Sequence, residues 1–146
     1  EAGIFADALS LFDKVQKKQE RISVMGRSLG SGAATYLASK RPVEKMLLIS
    51  PFDSIKSVAQ NKFPIYPMFL LLKDKYDSIG RVKDISAKTI VLIAENDEVI
   101  PKKHSLRLIS EFPPEQITVK TISDAGHNDI SNNMEYYNHL KDFLNN

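Results

Sequence analysis

Runs of apolar residues separated by polar, proline-containing segments divide the chain into alternating strands and helices. Two runs, 45–50 and 89–94, are almost continuously apolar, as expected for strands buried on both faces of a parallel sheet. Two further strands are predicted at 21–25 and 116–122, with helices at 2–17, 31–40, 55–61, 68–76, 101–112 and 132–144. The alternation predicts a single α/β domain over 1–146, a parallel sheet of about four strands with flanking helices.

The first and last predicted helices each carry one apolar face. In the first helix this face is formed by Ile4, Phe5, Ala8, Leu11, Phe12 and Val15, which repeat at helical spacing. In the last helix we expect the inner face to comprise Met134, Tyr137, Leu140 or His139, and Phe143 with Leu144.

The segment 51–88, between the second and third strands, is long enough for a short lid or connecting segment. Asp53 or Ser54 is expected to cap the helix that follows. Two interpretations of its apolar residues are open, because they could pack into the core or form a wall for an acyl chain or aromatic group. These residues are Phe63, Ile65, Tyr66, Met68, Phe69, Leu70, Leu71 and Leu72.

Composition removes several classes of function. The net charge is +2, from 20 basic and 18 acidic residues that are interspersed, so we expect no nucleic-acid partner. The longest apolar run, 68–72, is far too short to span a membrane. The sequence has no cysteine, which leaves the redox compartment open. No signal peptide is visible, and we expect a cytoplasmic location.

Candidate catalytic residues follow the predicted strands. The carboxyl ends of parallel strands meet at one edge of a sheet, where function gathers. Ser28 follows the first strand, Asp53 the second, the acidic run 95–98 the third, and the loop with His127 the fourth. A serine, a carboxylate and a histidine are therefore expected to converge at this edge.

Ser28 stands at the centre of a G-x-S-x-G motif, between Gly26 and Gly30. The motif joins a strand to a helix through a tight turn. We expect a strained backbone at the serine and no room for a bulky side chain at either glycine. The serine hydroxyl would then project above the sheet, beside the free N–H groups of the next helix.

These residues suit nucleophilic catalysis. A serine hydroxyl needs a base within hydrogen-bond reach, and histidine has the appropriate pKa. The histidine in turn needs a carboxylate that fixes its tautomer. We therefore predict Ser28 as nucleophile, His127 as general base and then acid, and Asp97 as the residue that orients His127.

Several other residues compete for these roles. Asp53, Glu95 and Glu98 could supply the acid, but Asp97 is favoured because a capping role accounts for Asp53. Asp124 and Asp129 are interpreted as loop or cap residues, and His104 and His139 as structural or exposed.

No metal or cofactor is expected from the motifs. The three histidines show no H-x-x-x-H or H-E-x-x-H spacing, and no G-x-x-x-x-G-K-[ST] phosphate loop is present. The glycines after the first strand do not complete a dinucleotide-binding G-x-G-x-x-G motif, because Thr35 occupies the last position.

Four segments together resemble the α/β-hydrolase superfamily: G-R-S-L-G-S-G-A-A-T-Y-L-A (26–38), S-P-F-D-S-I (50–55), A-E-N-D-E-V-I-P (94–101) and G-H-N-D-I (126–130). They look like the compact, largely lidless serine hydrolases, a group with lysophospholipase-like, protein-depalmitoylase-like and prolyl-oligopeptidase-related members. The resemblance implies Ser28, Asp97 and His127 as the triad, and the backbone N–H of Leu29 as one oxyanion-hole donor.

The resemblance also implies an activity, the cleavage of a small-molecule carboxylic ester or thioester through an acyl-enzyme. A peptidase of the same superfamily is an alternative. A second alternative is a non-catalytic fragment or binding module that retains the fold, since fold alone does not fix function.

The chain departs from the family pattern at its start. Its four predicted strands correspond to the last four of the family's sheet, so we expect the C-terminal portion of the fold. The family's second oxyanion donor follows an earlier strand, usually at a His-Gly element, and no such element precedes Gly26. The first strand would then have one bare edge, and bare edges invite pairing. We expect a missing N-terminal segment or a second copy of the chain to cover it.

Overall fold

A four-stranded parallel sheet forms the centre of the structure. The computed structural model describes residues 1–146 except for the side chain of Phe69. Within this described part the strands lie in the order in which they occur along the chain. They are β1 (Ser23–Arg27), β2 (Lys45–Ile49), β3 (Lys88–Ala94) and β4 (Ile117–Ile122). The predicted α/β class, with a parallel sheet of about four strands, is confirmed.

Helices connect successive strands and cover both faces of the sheet. They are α1 (Ala2–Gln16), α2 (Leu29–Ala38), α3 (Ile55–Lys62), α4 (Met68–Leu71), α5 (Lys102–Ile109) and α6 (Met134–Asn145), with 3-10 helices at Ile79–Asp84 and Ile130–Asn132. The helix predicted at 68–76 ends at Leu71, because the backbone turns extended at Leu72. In the described residues, every helix is too short or too polar to cross a membrane.

Strand β1 lies two residues later than the sequence pattern predicts. Gly26 and Arg27 still pair with Leu48 and Ile49 of β2, so the strand runs directly up to Ser28. Gly26 and Arg27 interrupt the apolar pattern by which the strand is predicted, although their backbone still pairs with β2.

The two central strands are buried on both faces, as their apolar runs predict. All five residues of β2 are buried, and its side chains alternate between two separate clusters. Met46 and Leu48 pack in the cluster that includes residues of α1, α2 and α5. Leu47 and Ile49 pack in the cluster beneath α6. The sheet is thus held rigidly between helices, with its carboxyl edge free to carry a site.

The inner face of α6 differs from the predicted one. Tyr136 is buried, with Leu140 and Phe143 packed beside it, whereas Met134 is 71% exposed and Tyr137 is also exposed. Tyr136, Leu140 and Phe143 follow the i, i+4, i+7 spacing of a helical face. Adjacent tyrosines at 136 and 137 make both faces plausible in the sequence, and packing against the sheet decides between them.

The apolar residues of the connecting segment 51–88 lie mostly at the surface. Ile65 is 90% exposed, and Phe63, Tyr66, Leu70 and Leu71 are also exposed. Core packing therefore does not account for these five residues. The side chain of Phe69, part of the same predicted cluster, lies outside the described residues.

Candidate active site

Ser28 occupies a strained turn between β1 and α2. Its φ is 50° and its ψ is −123°, a backbone conformation that non-glycine residues adopt at a cost of about 1–3 kcal/mol. Main-chain hydrogen bonds hold the turn, from Ser28 N to Ile49 O at 2.9 Å and from Ser31 N to Ser28 O at 2.9 Å. The Ser31 hydroxyl also donates to Ser28 O, at 2.6 Å. The strain predicted for this serine is therefore present and is stabilised by its neighbours.

The two glycines of the motif have different surroundings. A Cβ on Gly26 would lie 2.4 Å from the carbonyl oxygen of Gly30, so no side chain fits there. A Cβ on Gly30 would meet nothing within 4 Å. The steric reason expected for a small residue therefore applies at Gly26, whereas a Cβ on Gly30 would face the open groove beside β1.

His127 links the serine to a carboxylate. Its Nε2 lies 3.0 Å from Ser28 Oγ, and its Nδ1 lies 2.8 Å from Asp97 Oδ2 and 3.0 Å from Oδ1. With the proton on Nδ1, the ring donates to the carboxylate and leaves Nε2 free to accept the serine proton. The three residues predicted from the strand ends are thus brought together in one hydrogen-bonded chain.

Asp97 is fixed by the loop that follows β3. Its Oδ1 accepts hydrogen bonds from Val99 N at 3.0 Å and from Ile100 N at 2.7 Å. The Asp97 side chain is 1% exposed and that of His127 is 11% exposed. Two backbone donors fix the orientation of the carboxylate, and little water competes for its bond to His127.

Glu95 and Asp129, two of the other acids near the site, are engaged in other hydrogen bonds. Glu95 Oε2 accepts from Asp124 N at 3.0 Å, and Asp129 Oδ1 accepts from Gly126 N at 2.6 Å. These carboxylates shape the loop that carries His127, in keeping with the loop role expected for Asp129.

Asp53 belongs to a second buried pair that the sequence does not reveal. Its Oδ1 lies 2.9 Å from His104 Nδ1, both side chains are almost fully buried, and Arg107 Nη1 lies 3.1 Å from Oδ2. The helix cap comes from Ser54 instead, whose hydroxyl accepts from Ser57 N at 3.1 Å. Asp53 therefore pairs with His104 and not with His127. His104 is buried in this pair, in keeping with the structural role expected for it.

This second pair lacks the geometry of a nucleophile site. Ser57 Oγ lies 3.4 Å from His104 Nδ1, the same nitrogen that faces Asp53. The opposite nitrogen, Nε2, is buried without a hydrogen-bond partner among the described residues. His104 therefore does not join a hydroxyl to Asp53 through its two ring nitrogens, as His127 joins Ser28 to Asp97.

The N–H of Leu29 is available beside the nucleophile. Leu29 is the first residue of α2, and the first N–H groups of a helix have no intrahelical acceptor.

In the described residues, no three His, Asp or Glu side chains are grouped so as to share a metal ion. Ser28, His127 and Asp97 have the hydrogen-bonded geometry that proton transfer from a serine hydroxyl to a histidine requires.

Comparisons with known proteins bear on the fold. No family model matches the chain. The chain is 33% identical over 134 residues to an uncharacterized protein of Mycobacterium tuberculosis, covering 88% of this chain and 47% of that protein. It is 32% identical over 136 residues to lysophosphatidylserine lipase ABHD12 of Bos taurus, covering 78% of this chain and 34% of that protein. A cold-adapted esterase from an Arctic intertidal metagenomic library matches with a TM-score of 0.71 at 15% identity, covering 98% of this chain and 54% of that one.

The sheet and these likenesses show that the chain has the α/β-hydrolase fold. The resemblance to that superfamily predicted from the sequence is confirmed. The chain spans less than half the length of the two curated relatives described above.

Proposed function

We propose that the protein is a serine hydrolase that cleaves carboxylic esters or thioesters through an acyl-enzyme. The observation that carries this proposal is the hydrogen-bonded chain from Ser28 Oγ to His127 Nε2, at 3.0 Å, and from His127 Nδ1 to Asp97 Oδ2, at 2.8 Å. Lipases and esterases among the similar proteins support it.

In the proposed reaction, His127 Nε2 takes the Ser28 proton as Oγ bonds to the substrate carbonyl carbon. The carbonyl π electrons move onto oxygen, and the resulting oxyanion accepts the Leu29 N–H. When the intermediate collapses, the leaving alcohol or thiol receives the proton from His127. A water molecule then repeats the sequence on the acyl-enzyme and releases the acid. Asp97 stays ionised and stabilises the imidazolium formed in each half.

The second oxyanion donor belongs, in this proposal, to a segment upstream of the sequence. Leu29 supplies one donor, and the family's other donor comes from a loop after an earlier strand. Loss of one donor from such a hole lowers the rate by about 10²–10³-fold. The full-length protein is therefore the form in which activity should be measured.

An apolar acyl group is the proposed feature of the substrate. The connecting segment leaves the carboxyl end of β2, the edge of the sheet at which Ser28 lies. Its exposed Ile65, Leu70 and Leu71 offer apolar surface that the core does not use. Such surface is favourable for an acyl chain, since burial gains about 25 cal/mol per Å².

Chain-length dependence tests this assignment. The double variant Ile65→Ser/Leu70→Ser should lower kcat/KM for p-nitrophenyl octanoate by about tenfold. It should leave kcat/KM for p-nitrophenyl acetate unchanged, because in this proposal only the longer acyl chain reaches the segment. Met134→Ser, which also removes an exposed apolar side chain, is the matched control. Equal losses for both esters, or none for either, would contradict an acyl wall at this segment.

We also propose that an upstream segment of the full-length protein covers the free edge of β1. Ile22 O and Ser28 N bond toward β2, so by strand alternation the N–H groups of Met25 and Arg27 point away from it. Met25 is 61% exposed and Leu11 is also exposed, beside an apolar groove of about 480 Å³ between α1, β1 and α2. The greater length of the relatives supports this proposal.

Hydrogen exchange of the full-length protein tests the edge. The Met25 amide should exchange as slowly as that of Gly26, which faces β2, and its rate should not depend on protein concentration. Protection that grows with concentration would indicate a second copy of the chain instead. Rapid exchange of Met25 beside a protected Gly26 would mean that nothing pairs with this edge.

The cytoplasmic location expected from the sequence stays a prediction.

A further inference from the structure

Arg27 makes a long-range contact to the loop that carries His127. Its Nη2 donates to the main-chain carbonyl oxygen of His127 at 2.6 Å, across 100 residues of sequence. Arg27 immediately precedes Ser28, whose Oγ lies 3.0 Å from Nε2 of the same histidine. Two consecutive residues at the end of β1 thus contact the main chain and the ring of one histidine.

Two other contacts hold the main chain of this loop, at Asp124 and Ala125. Ala125 O accepts from Asn96 N at 2.9 Å, and Asp124 N donates to Glu95 Oε2 at 3.0 Å. Both tie the loop to the segment after β3, on the Asp97 side. The Arg27 contact ties it to β1, on the Ser28 side, at the histidine itself.

The positive charge of Arg27 also influences Tyr136 of α6. Burial raises the pKa of the Tyr136 hydroxyl, and the positive charge of Arg27 opposes that rise. The same charge strengthens the hydrogen bond to the His127 carbonyl, since charge-assisted bonds are about twice as strong as neutral ones.

We infer that Arg27 is a positioning residue that holds His127 Nε2 in reach of Ser28 Oγ. This inference rests on the proposed serine hydrolase function. Without the contact, the loop and the His127 ring would keep their attachments on the Asp97 side, and the His127 main chain would lose its attachment to β1 on the Ser28 side. A displacement of about 1 Å in a reacting group is enough to lower a rate by about 10²-fold.

Kinetics of the full-length protein test this role. Arg27→Met should lower kcat for a p-nitrophenyl ester by about 10–100-fold with KM nearly unchanged, because substrate binding does not need the contact. Arg21→Met is the matched control. It removes an exposed arginine just before the same strand, one paired with Glu44 and remote from the carboxyl edge.

Guanidinium rescue separates positioning from a general structural role. Added guanidinium, at a concentration too low to unfold the protein, should restore much of the kcat lost in Arg27→Ala, as it can donate to the vacated carbonyl. If Arg27→Met fails to fold, this rescue decides the question alone. Equal kcat for Arg27→Met and Arg21→Met, or no rescue of a folded, impaired Arg27→Ala, would overturn the inference.

The same assay distinguishes failure of the positioning role of Arg27 from failure of the proposed hydrolase function. Activity that Ser28→Ala abolishes but Arg27→Met leaves intact would remove the positioning role and keep the hydrolase. Absence of any Ser28-dependent activity in the wild type would remove both.

Discussion

Ser28→Ala in the full-length protein is expected to lower ester kcat by about 10⁵–10⁶-fold, because it deletes the only atom that forms the acyl bond. The fold should persist. Alanine keeps the Cβ and the main-chain bonds from Ser28 N to Ile49 O and from Ser31 N to Ser28 O. The measurement is steady-state hydrolysis of a p-nitrophenyl ester, with circular dichroism to verify folding.

A matched serine variant controls for this experiment. Ser110 lies at the end of α5, where its hydroxyl donates to Arg107 O at 2.8 Å. Ser110→Ala should hydrolyse the ester at the wild-type rate. If Ser28→Ala retained wild-type turnover in a folded protein, the activity would come from another nucleophile and the proposed mechanism would be wrong.

Asp97→Asn is expected to lower kcat by about 10⁴-fold with little change in KM. The buried carboxylate accepts the Nδ1 proton of His127 at 2.8 Å. An asparagine amide can donate to Nδ1 instead, which leaves the proton on Nε2. That tautomer cannot accept the Ser28 proton, so the serine is no longer activated.

The second Asp–His pair of the chain supplies the control. Asp53→Asn changes an equally buried carboxylate that also faces a histidine Nδ1, at 2.9 Å. It should reduce the free energy of unfolding by about 1–3 kcal/mol and leave kcat close to wild type, because His104 relays to no nucleophile. Equal kcat losses in Asp97→Asn and Asp53→Asn would show that the effect is general destabilisation. Chemical denaturation alongside kinetics measures both quantities.

Strand order made the candidate site predictable. Ser28, Asp97 and His127 are far apart in sequence, yet each follows a different strand, and the carboxyl ends of parallel strands share one edge. Only a parallel topology was needed to bring them together, and the continuous apolar runs of β2 and β3 already indicate one.

Features that depend on particular packing partners were not predictable. Nothing local in the sequence connects Asp53 with His104, which are 51 residues apart. The different surroundings of Gly26 and Gly30 depend on which helix backbone approaches each glycine. The Arg27 contact likewise depends on how the His127 loop crosses the end of β1. Each of these requires three-dimensional neighbours that no periodicity encodes.

Covalent labelling tests the central claim most directly. The full-length protein would be treated with a fluorophosphonate probe, digested and analysed by mass spectrometry. A single adduct on Ser28 is expected, which is lost in Ser28→Ala and retained in Ser110→Ala. Absence of an adduct from the folded wild-type protein would indicate a binding module that keeps the fold, and an adduct at another serine would contradict the assignment of Ser28 as nucleophile.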